Sequence, residues 1–341
     1  MLKTPIEWCD YSWPIVNGCR RISPGCGGPD GGGCYAERLA ATRLRHLPKY
    51  EGLATMTTSG PRWTGNSRLW LPDLADPLRL KKPSRIFVAD MGDLFYEEVT
   101  NEEIAAVFGV MAACPRHTFQ CLTKRPKRMR EWFAWVADAK IPKAWCVGAA
   151  RRAMGREHVA FADEVPEGCG DPRAWPLPNV HLGVSVESQK YAAERVPHLL
   201  QTPAAVRWVS AEPLLEAVDF STYLGVNDDQ RRAGVSCVTG YHPGLNWIVV
   251  GGESGPGARP FYLSWARSIV AQCRAAGVPV FCKQMGSYPV GLPSDLVPPV
   301  QWTIPGPGRL GYRDRKGGDP EEWPEDLRVR EYPAASAGAR A

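Results

Sequence analysis

Three cysteines fall within sixteen residues, Cys19, Cys26 and Cys34, spaced C-x6-C-x7-C. Gly, Pro, Ser and Asp dominate the residues between them, which favours turns over regular structure, so the segment can wrap a small object and turn three sulfurs inward. Three thiolates without a neighbouring histidine or fourth cysteine are too few for a closed structural zinc site. They suffice for an iron–sulfur cluster that leaves one iron open to another ligand, although cubane clusters usually take four cysteines. The alternative is three ordinary loop or buried thiols. The clustering and the loop setting favour a metal site.

A second group of reactive types follows short apolar runs. Asp90 and Asp93 come after the run at 85–89, Thr123-Lys124-Arg125 after 118–122, and Ser185 and Glu187 after 180–184. Ser210 and Glu212 follow 206–209, Gly251-Gly252-Glu253 follows 247–250, and Lys283-Gln284 follows 278–282. In Gly251-Gly252-Glu253 the glycines allow close backbone approach to a ligand, and the glutamate can receive an ammonium group. The rival reading is a phosphate nest made by Gly251 to Gly257, which a glutamate would disfavour. No Gly-Lys-Ser/Thr follows, which argues against a P-loop. Lys124, Arg125, Lys127, Arg128 and Arg130 form a basic cluster that can clamp a phosphate backbone or simply be a solvated helix face. Arg125, Lys127 and Arg128 are the phosphate candidates. The six histidines show no ligand spacing, and no Gly-x-Ser-x-Gly elbow occurs. Cys146 and Cys169 lack partner spacing, while Cys114, Cys121, Cys273 and Cys282 sit in or beside apolar elements as core residues.

These residues need elements to position them. An aromatic, β-leaning stretch at 5–17 leads into the cysteine loop, and a helix is expected from 35 to about 47. Residues 48–84 read as loop with one short helix. Strands are expected at the six apolar runs, and helices at 102–113, 127–136, 189–200 and 264–276, with Asn101 as an N-cap and Gly277 as a stop. Strand and helix in alternation imply a parallel sheet with helices outside it. The chain is therefore expected to be α/β, its parallel strands forming a partial or complete (β/α) barrel, with an open doubly wound sheet as runner-up. Residues 1–290 form one barrel-like domain, interrupted by Pro-, Gly- and charge-rich insertions at about 138–178 and 221–245. Residues 291–341 form a Pro-rich extension with a tail expected to be mobile. In a parallel barrel the polar groups after each strand share one face, where ligands bind.

The chain has 341 residues, 44% hydrophobic and 23% charged, as in ordinary globular proteins. A net charge of +5 permits an anionic partner without demanding one. The first residues lack the apolar core of a secretory signal, and no apolar run is long enough to span a bilayer. Eleven cysteines in such a chain do not suggest a secreted disulfide scaffold; a cytoplasmic setting is expected.

With these motifs assembled, the chain resembles a family of three-cysteine phage and bacterial conserved proteins. The matching residues are Ile6-Glu7-Trp8, Gly18-Cys19, Ser23-Pro24-Gly25-Cys26, Cys34-Tyr35-Ala36-Glu37, Asp93-Leu94-Phe95 and Leu122-Thr123-Lys124-Arg125-Pro126. Further along come Leu182-Gly183-Val184-Ser185-Val186-Glu187, Ser210-Ala211-Glu212-Pro213-Leu214, Gly251-Gly252-Glu253-Ser254-Gly255 and Phe281-Cys282-Lys283-Gln284. The family is similar to radical S-adenosylmethionine enzymes, whose barrel holds a 4Fe–4S cluster on three cysteines. Relatives usually show C-x6-C-x2-C, so here 27–33 lengthens the last gap.

The resemblance implies that Cys19, Cys26 and Cys34 hold the cluster. Ser185, Glu187, Glu212, Gly251, Gly252 and Glu253 would contact S-adenosylmethionine, and Asp90, Asp93, Lys124 and Lys283 would serve catalysis. The substrate would be a nucleotide or nucleic acid, with an electron donor as partner and no membrane. The alternative is a non-catalytic phage module holding zinc or a structural cluster and binding nucleic acid. A nuclease or nucleotide hydrolase built on Asp90, Asp93 and Glu187 is a third reading.

Overall fold

The computed structural model describes residues 1–27, 33–141, 143–155, 175–225, 244–295, 301–302 and 308–334. Eight strands make the main sheet: β1 (Leu2–Lys3), β2 (Tyr11–Trp13), β3 (Arg85–Val88), β4 (Thr118–Thr123), β5 (Val180–Ser185), β6 (Val206–Ala211), β7 (Trp247–Gly251) and β8 (Val280–Gln284). Their order across the sheet is their order in the chain. β1 pairs antiparallel with β2, and all other pairs are parallel. A doubly wound sheet reverses direction at a switch point; this one does not, so it curls as an open (β/α) half-barrel. Helices α1 (Tyr35–Ala41), α2 (Asn101–Ala112), α3 (Pro126–Asp138), α4 (Lys143–Met154), α5 (Gln189–Leu200) and α6 (Leu263–Ala276) accompany it.

Both faces of the strands are buried, which is why they read as continuous apolar runs. Side chains alternate between faces. Ile86, Val88, Val209, Ala211, Ile248, Val250, Val280 and Cys282 join the helix-side core. Their neighbours Phe87, Trp208, Trp247, Val249 and Phe281 turn to the concave side and pack with Trp8 and Cys9. Trp8 meets Trp208 edge-on at 5.2 Å between ring centroids and Phe87 at 4.8 Å. Three of the thirteen tryptophans thus floor the half-barrel. Cys114, Cys121, Cys273 and Cys282 lie in the helix-side core as expected.

Several local expectations are corrected. The stretch 5–17 is not one strand: it holds β2 (Tyr11–Trp13) in the main sheet and a separate two-residue strand, Val16–Asn17, paired with Arg68–Leu69. The N-cap of α2 is Thr100, not Asn101: Thr100 Oγ1 accepts from Glu103 N at 3.2 Å, and the Glu103 carboxylate accepts from Thr100 N at 2.8 Å. That reciprocal box satisfies two donors that Asn101 would leave open. The 48–84 stretch holds a hairpin, Ala54–Thr57 with Gly60–Trp63. Within the first insertion α4 packs on α2, where a Cβ on Gly109 would lie 2.0 Å from the Cys146 carbonyl oxygen. Only glycine admits that approach. Cys169 and the centre of the second insertion lie outside the described residues.

The extension does not trail away over residues 308–334. Cys282 N donates to Val329 O at 2.8 Å and Glu331 N to Val280 O at 3.0 Å, so the extension pairs along the free edge of β8. Trp323 and Leu327 are fully buried beside it. Covering the last strand in this way removes an open edge. Residues 335–341, the expected mobile tail, lie outside the described residues.

Candidate functional site

The cysteine loop crosses the C-terminal ends of the strands and is fastened at four places. At its start Gly18 takes φ +88°, and a Cβ there would lie 2.3 Å from Asn66 O. Next, Arg125 Nη2 donates to Arg20 O at 3.2 Å while its Nη1 lies 3.6 Å from Cys19 Sγ. Arg125 is held in turn by Asp93 at 3.1 Å and Glu97 at 2.9 Å, and it lies over the Tyr96 ring. Asp93 also accepts from Thr123 Oγ1 at 2.7 Å and Lys124 N at 3.2 Å, so it braces the turn after β4.

The third fastening is Glu187 Oε1, which accepts from Gly25 N at 3.3 Å. Glu187 and Arg195 form a buried ion pair at 2.9 Å, and Arg195 also donates to Ser185 O. The fourth is Arg259, which donates to Pro24 O at 2.9 Å and grips Glu253 at 2.9 Å. Beyond the loop, Cys34 caps α1, whose buried Glu37 pairs with Arg21 and accepts from Trp63 N at 2.7 Å.

The neighbouring thiols act weakly on one another, Cys34 and Cys26 on Cys19 and Cys26 on Cys34, each in the raising direction. Burial pushes the Cys19 thiol up to about 12 against the opposing charge of Arg125, and burial raises Cys34 as well. Burial acts the same way on Cys26, but Lys124 and hydrogen bonds from Ile22 and Ser23 outweigh it and hold this thiol below its ordinary value. Among the described residues, no three His, Cys, Asp or Glu side chains converge as a ready-made metal cage. By donor chemistry the set of three thiols fits a cluster. Positive charge does reach these thiols: Arg125 acts on Cys19, Lys124 on Cys26 and Cys34, and Arg21 feels both Cys26 and Cys34. Only at Cys26 is it enough, with the hydrogen bonds, to favour the thiolate.

Below the loop the concave cavity carries polar groups above its aromatic floor. Lys283 Nζ meets Glu212 Oε1 at 2.6 Å, Gln284 Nε2 reaches the same oxygen at 3.3 Å, and Ser185 Oγ donates to Glu212 O at 3.3 Å. Asp90 stands on the opposite wall, its backbone oxygen bonded by the Tyr35 hydroxyl. Burial, partly countered by Ser12, raises the Asp90 carboxyl to about 6, and its Oδ1 has no partner. Burial of its hydroxyl, and then the charges of Asp90, Cys34, Cys9 and Glu212, raise Tyr35 well above its ordinary value.

The structure therefore brings Cys19, Cys26, Cys34, Asp90, Asp93, Lys124, Ser185, Glu187, Glu212, Glu253 and Lys283 to one end of the sheet, with Gly251 and Gly252 at the end of β7. Gly251 packs on Gln284, and a Cβ on Gly252 would lie 2.6 Å from Met285 O. Arg128 turns away, donating to Val99 O and Asn101 Oδ1, and Lys127 is exposed with Glu131 at 3.8 Å. Sequence reasoning missed Tyr35, Arg195 and Arg259. Tyr35 had a signal in its position beside Cys34 at a helix start; the two arginines had none.

Fold and site together define an open α/β half-barrel with a thiol-bearing loop strapped across its C-terminal rim. The chain belongs to the family described as protein of unknown function DUF5131, which it matches over residues 3–298. No curated protein matches it. Among solved structures it is similar to a mutant of spore photoproduct lyase, at 11% identity, covering 92% of this chain and 71% of that one with a TM-score of 0.35. It is also similar to spore photoproduct lyase complexed with dinucleoside spore photoproduct, at 12% identity, 92% and 71% coverage and a TM-score of 0.33. A mutant of that lyase with bound AdoMet and the dinucleoside spore photoproduct gives 12% identity, 90% and 69% coverage and a TM-score of 0.32. No helix among the described residues is long and apolar enough to cross a membrane.

Proposed function

We propose that the chain is an iron–sulfur enzyme of the radical S-adenosylmethionine kind that acts on a nucleotide or nucleic acid. The observation that carries this reading is that the loop bearing Cys19, Cys26 and Cys34 is tied by Arg125, Glu187 and Arg259 to the C-terminal end of a sequentially wound parallel sheet. These three thiols would hold a 4Fe–4S cluster with one iron left open. Together with S-adenosylmethionine, such a cluster would supply one-electron, hydrogen-abstracting chemistry toward a substrate.

The chain's own residues do the positioning. Arg125, Glu187 and Arg259 fix the loop at three carbonyl or amide groups. Ser185, Glu212, Gly251 and Gly252 wall the space for the cofactor. Lys283 and Glu212 fix each other through their ion pair, and Asp90, raised to about 6, can give or take a proton near neutral pH. The aromatic floor excludes water from below. An electron donor is the implied partner, and the cytoplasm is the compartment that keeps such thiols reduced.

Anaerobic reconstitution with iron and sulfide, read by visible absorbance and by S-adenosylmethionine cleavage, tests the reading. Cys19→Ala, Cys26→Ala and Cys34→Ala should each lose the brown chromophore, and Cys273→Ala should keep it. A colourless protein holding zinc would sink the enzyme and favour a binding module; full iron in all three variants would put the cluster elsewhere.

A further inference from the structure

Beside the Gly-Gly-Glu loop opens a pocket of about 480 Å³, inside the size range of small-molecule sites. Its walls come from four segments: Arg38 on α1, Ser254 to Pro256 after β7, Gly286, Ser287 and Pro289 after β8, and Arg309 to Tyr312 with Asp314 to Lys316 of the extension. Ser287 ties two of them together, accepting from Gly255 N at 2.9 Å and donating to Arg315 O at 2.6 Å. Gly255 takes φ +100°, and the Arg38 guanidinium lies 3.4 Å from where its Cβ would stand, so a side chain there would press on Arg38.

The charge of this pocket is lopsided. Arg38, Arg309, Arg315 and Lys316 line it, and among the described residues no carboxylate pairs with any of them. Arg309 donates to Ser287 O and lies over the Tyr288 ring, which leaves its charge uncancelled. The acid in the lining, Asp314, accepts from Lys316 N at 3.0 Å and Gly318 N at 2.8 Å, so its carboxylate serves the local turn. Glu253, which would repel an anion from this loop, is neutralised by Arg259 through paired contacts at 2.9 Å and a bond from Arg259 N at 3.1 Å. What remains is a concave site with surplus positive charge and a glycine-lined wall.

We propose that this pocket binds a phosphate group of a nucleotide or of a nucleic-acid strand and so seats the substrate beside the cysteine loop. Arg38 lies one helical turn from Cys34, with Arg38 N donating to Cys34 O at 3.1 Å, so a phosphate held there adjoins the proposed reaction space. The proposal rests on the nucleic-acid part of the function above and not on the cluster, because phosphate binding needs no iron.

The test measures binding of a fluorescein-labelled single-stranded oligonucleotide by anisotropy, with a nucleoside monophosphate as competitor, on the chain as purified. Arg315→Gln/Lys316→Gln removes two exposed charges. It should weaken binding by about tenfold or more and flatten the dependence of log K on log salt by about two units. Lys81→Gln/Lys82→Gln removes the same charge from an exposed stretch away from the pocket and should change little. Displacement by the monophosphate assigns the pocket to a free nucleotide; oligonucleotide binding that resists the monophosphate yet falls in the double variant assigns it to a strand. Arg38→Gln, on a different segment, should weaken binding in the same direction should the double variant fold poorly. Binding that is unchanged in both pocket variants, or weakened equally by the Lys81/Lys82 change, overturns the proposal. A cluster that fails to form leaves these results untouched.

Discussion

Gly27 and Gly33 stand backbone to backbone at the neck of the cysteine loop: a Cβ built on Gly27 would lie 2.9 Å from the Gly33 Cα. Their Cα atoms are therefore near the ~3.8 Å that separates consecutive residues. Joining Gly27 to Gly33 directly would restore a C-x2-C spacing between Cys26 and Cys34. Gly225 and Gly244 pinch the second insertion in the same way, with a Cβ on Gly244 only 2.5 Å from Gly225 N. Deleting 28–32 should leave iron content after reconstitution at the level of the full chain. Loss of iron from a deletion variant with an intact circular-dichroism melt would show that the segment itself supports the site.

Glu187 joins two functions that substitution can separate. Its ion pair with Arg195 is fully buried, and its Oε1 holds Gly25 N. Glu187→Gln can still accept from Gly25 but leaves Arg195 uncompensated, which should cost ~3–5 kcal/mol in urea unfolding. Glu187→Ala should lose the loop tether as well and speed alkylation of Cys26 by iodoacetamide in the metal-free chain. Equal alkylation rates in the Ala and Gln variants would mean that the tether does not hold the loop.

Most of the sheet was legible because strands buried on both faces must be apolar throughout, and each such run ended at a polar group. The hairpin at Ala54–Thr57 and the helix Lys143–Met154 were not, since Gly, Pro and charge around them mask short elements whose stability comes from tertiary contact. The site was legible as a set of positions and less so as a set of roles. Arg125, Glu187 and Glu253 carry charge at strand ends, and the same types appear whether they bind a ligand or strap a loop. Telling these apart needs partners 162 and 235 residues away, Gly25 from Glu187 and Pro24 from Arg259, which no local pattern contains.

The aromatic floor makes its own demand on β5. A Cβ on Gly183 would lie 2.4 Å from Trp208 Cε2, and Trp208 is wedged between Trp8 and Trp247 at 5.2 Å from each. Gly183→Ala should destabilise by ~1–3 kcal/mol through overpacking. Gly148→Ala, in α4, meets only the end of Arg152 at 3.4 Å and should be neutral or stabilising by up to ~1 kcal/mol from helix propensity. Similar costs for the two would show that the floor yields to an added methyl.

Asp90 gives the half-barrel a pH signature. Burial raises its carboxyl from 3.8 to about 6, with Ser12, Lys49 and the chain N-terminus pulling the other way. Among the described residues, Tyr35, Tyr50 and Cys9 feel its charge in turn. For an acid raised in the folded state the sign runs against stability at high pH. Below about 4 both states are protonated and the group costs nothing; between about 4 and 6 the unfolded chain ionises first; above 6 the full cost applies. A shift of about two units corresponds to about 3 kcal/mol at most. Asp90→Asn keeps the size and removes the charge. The stability difference, variant minus parent, should therefore rise between pH 4 and 6.5 in favour of Asn and then level off, as read by urea unfolding at each pH. Because every other titration is shared, it cancels in that difference. A difference flat across this range would mean that Asp90 ionises as freely in the folded cavity as in the unfolded chain, and it would then have no claim to a proton-transfer role near neutral pH.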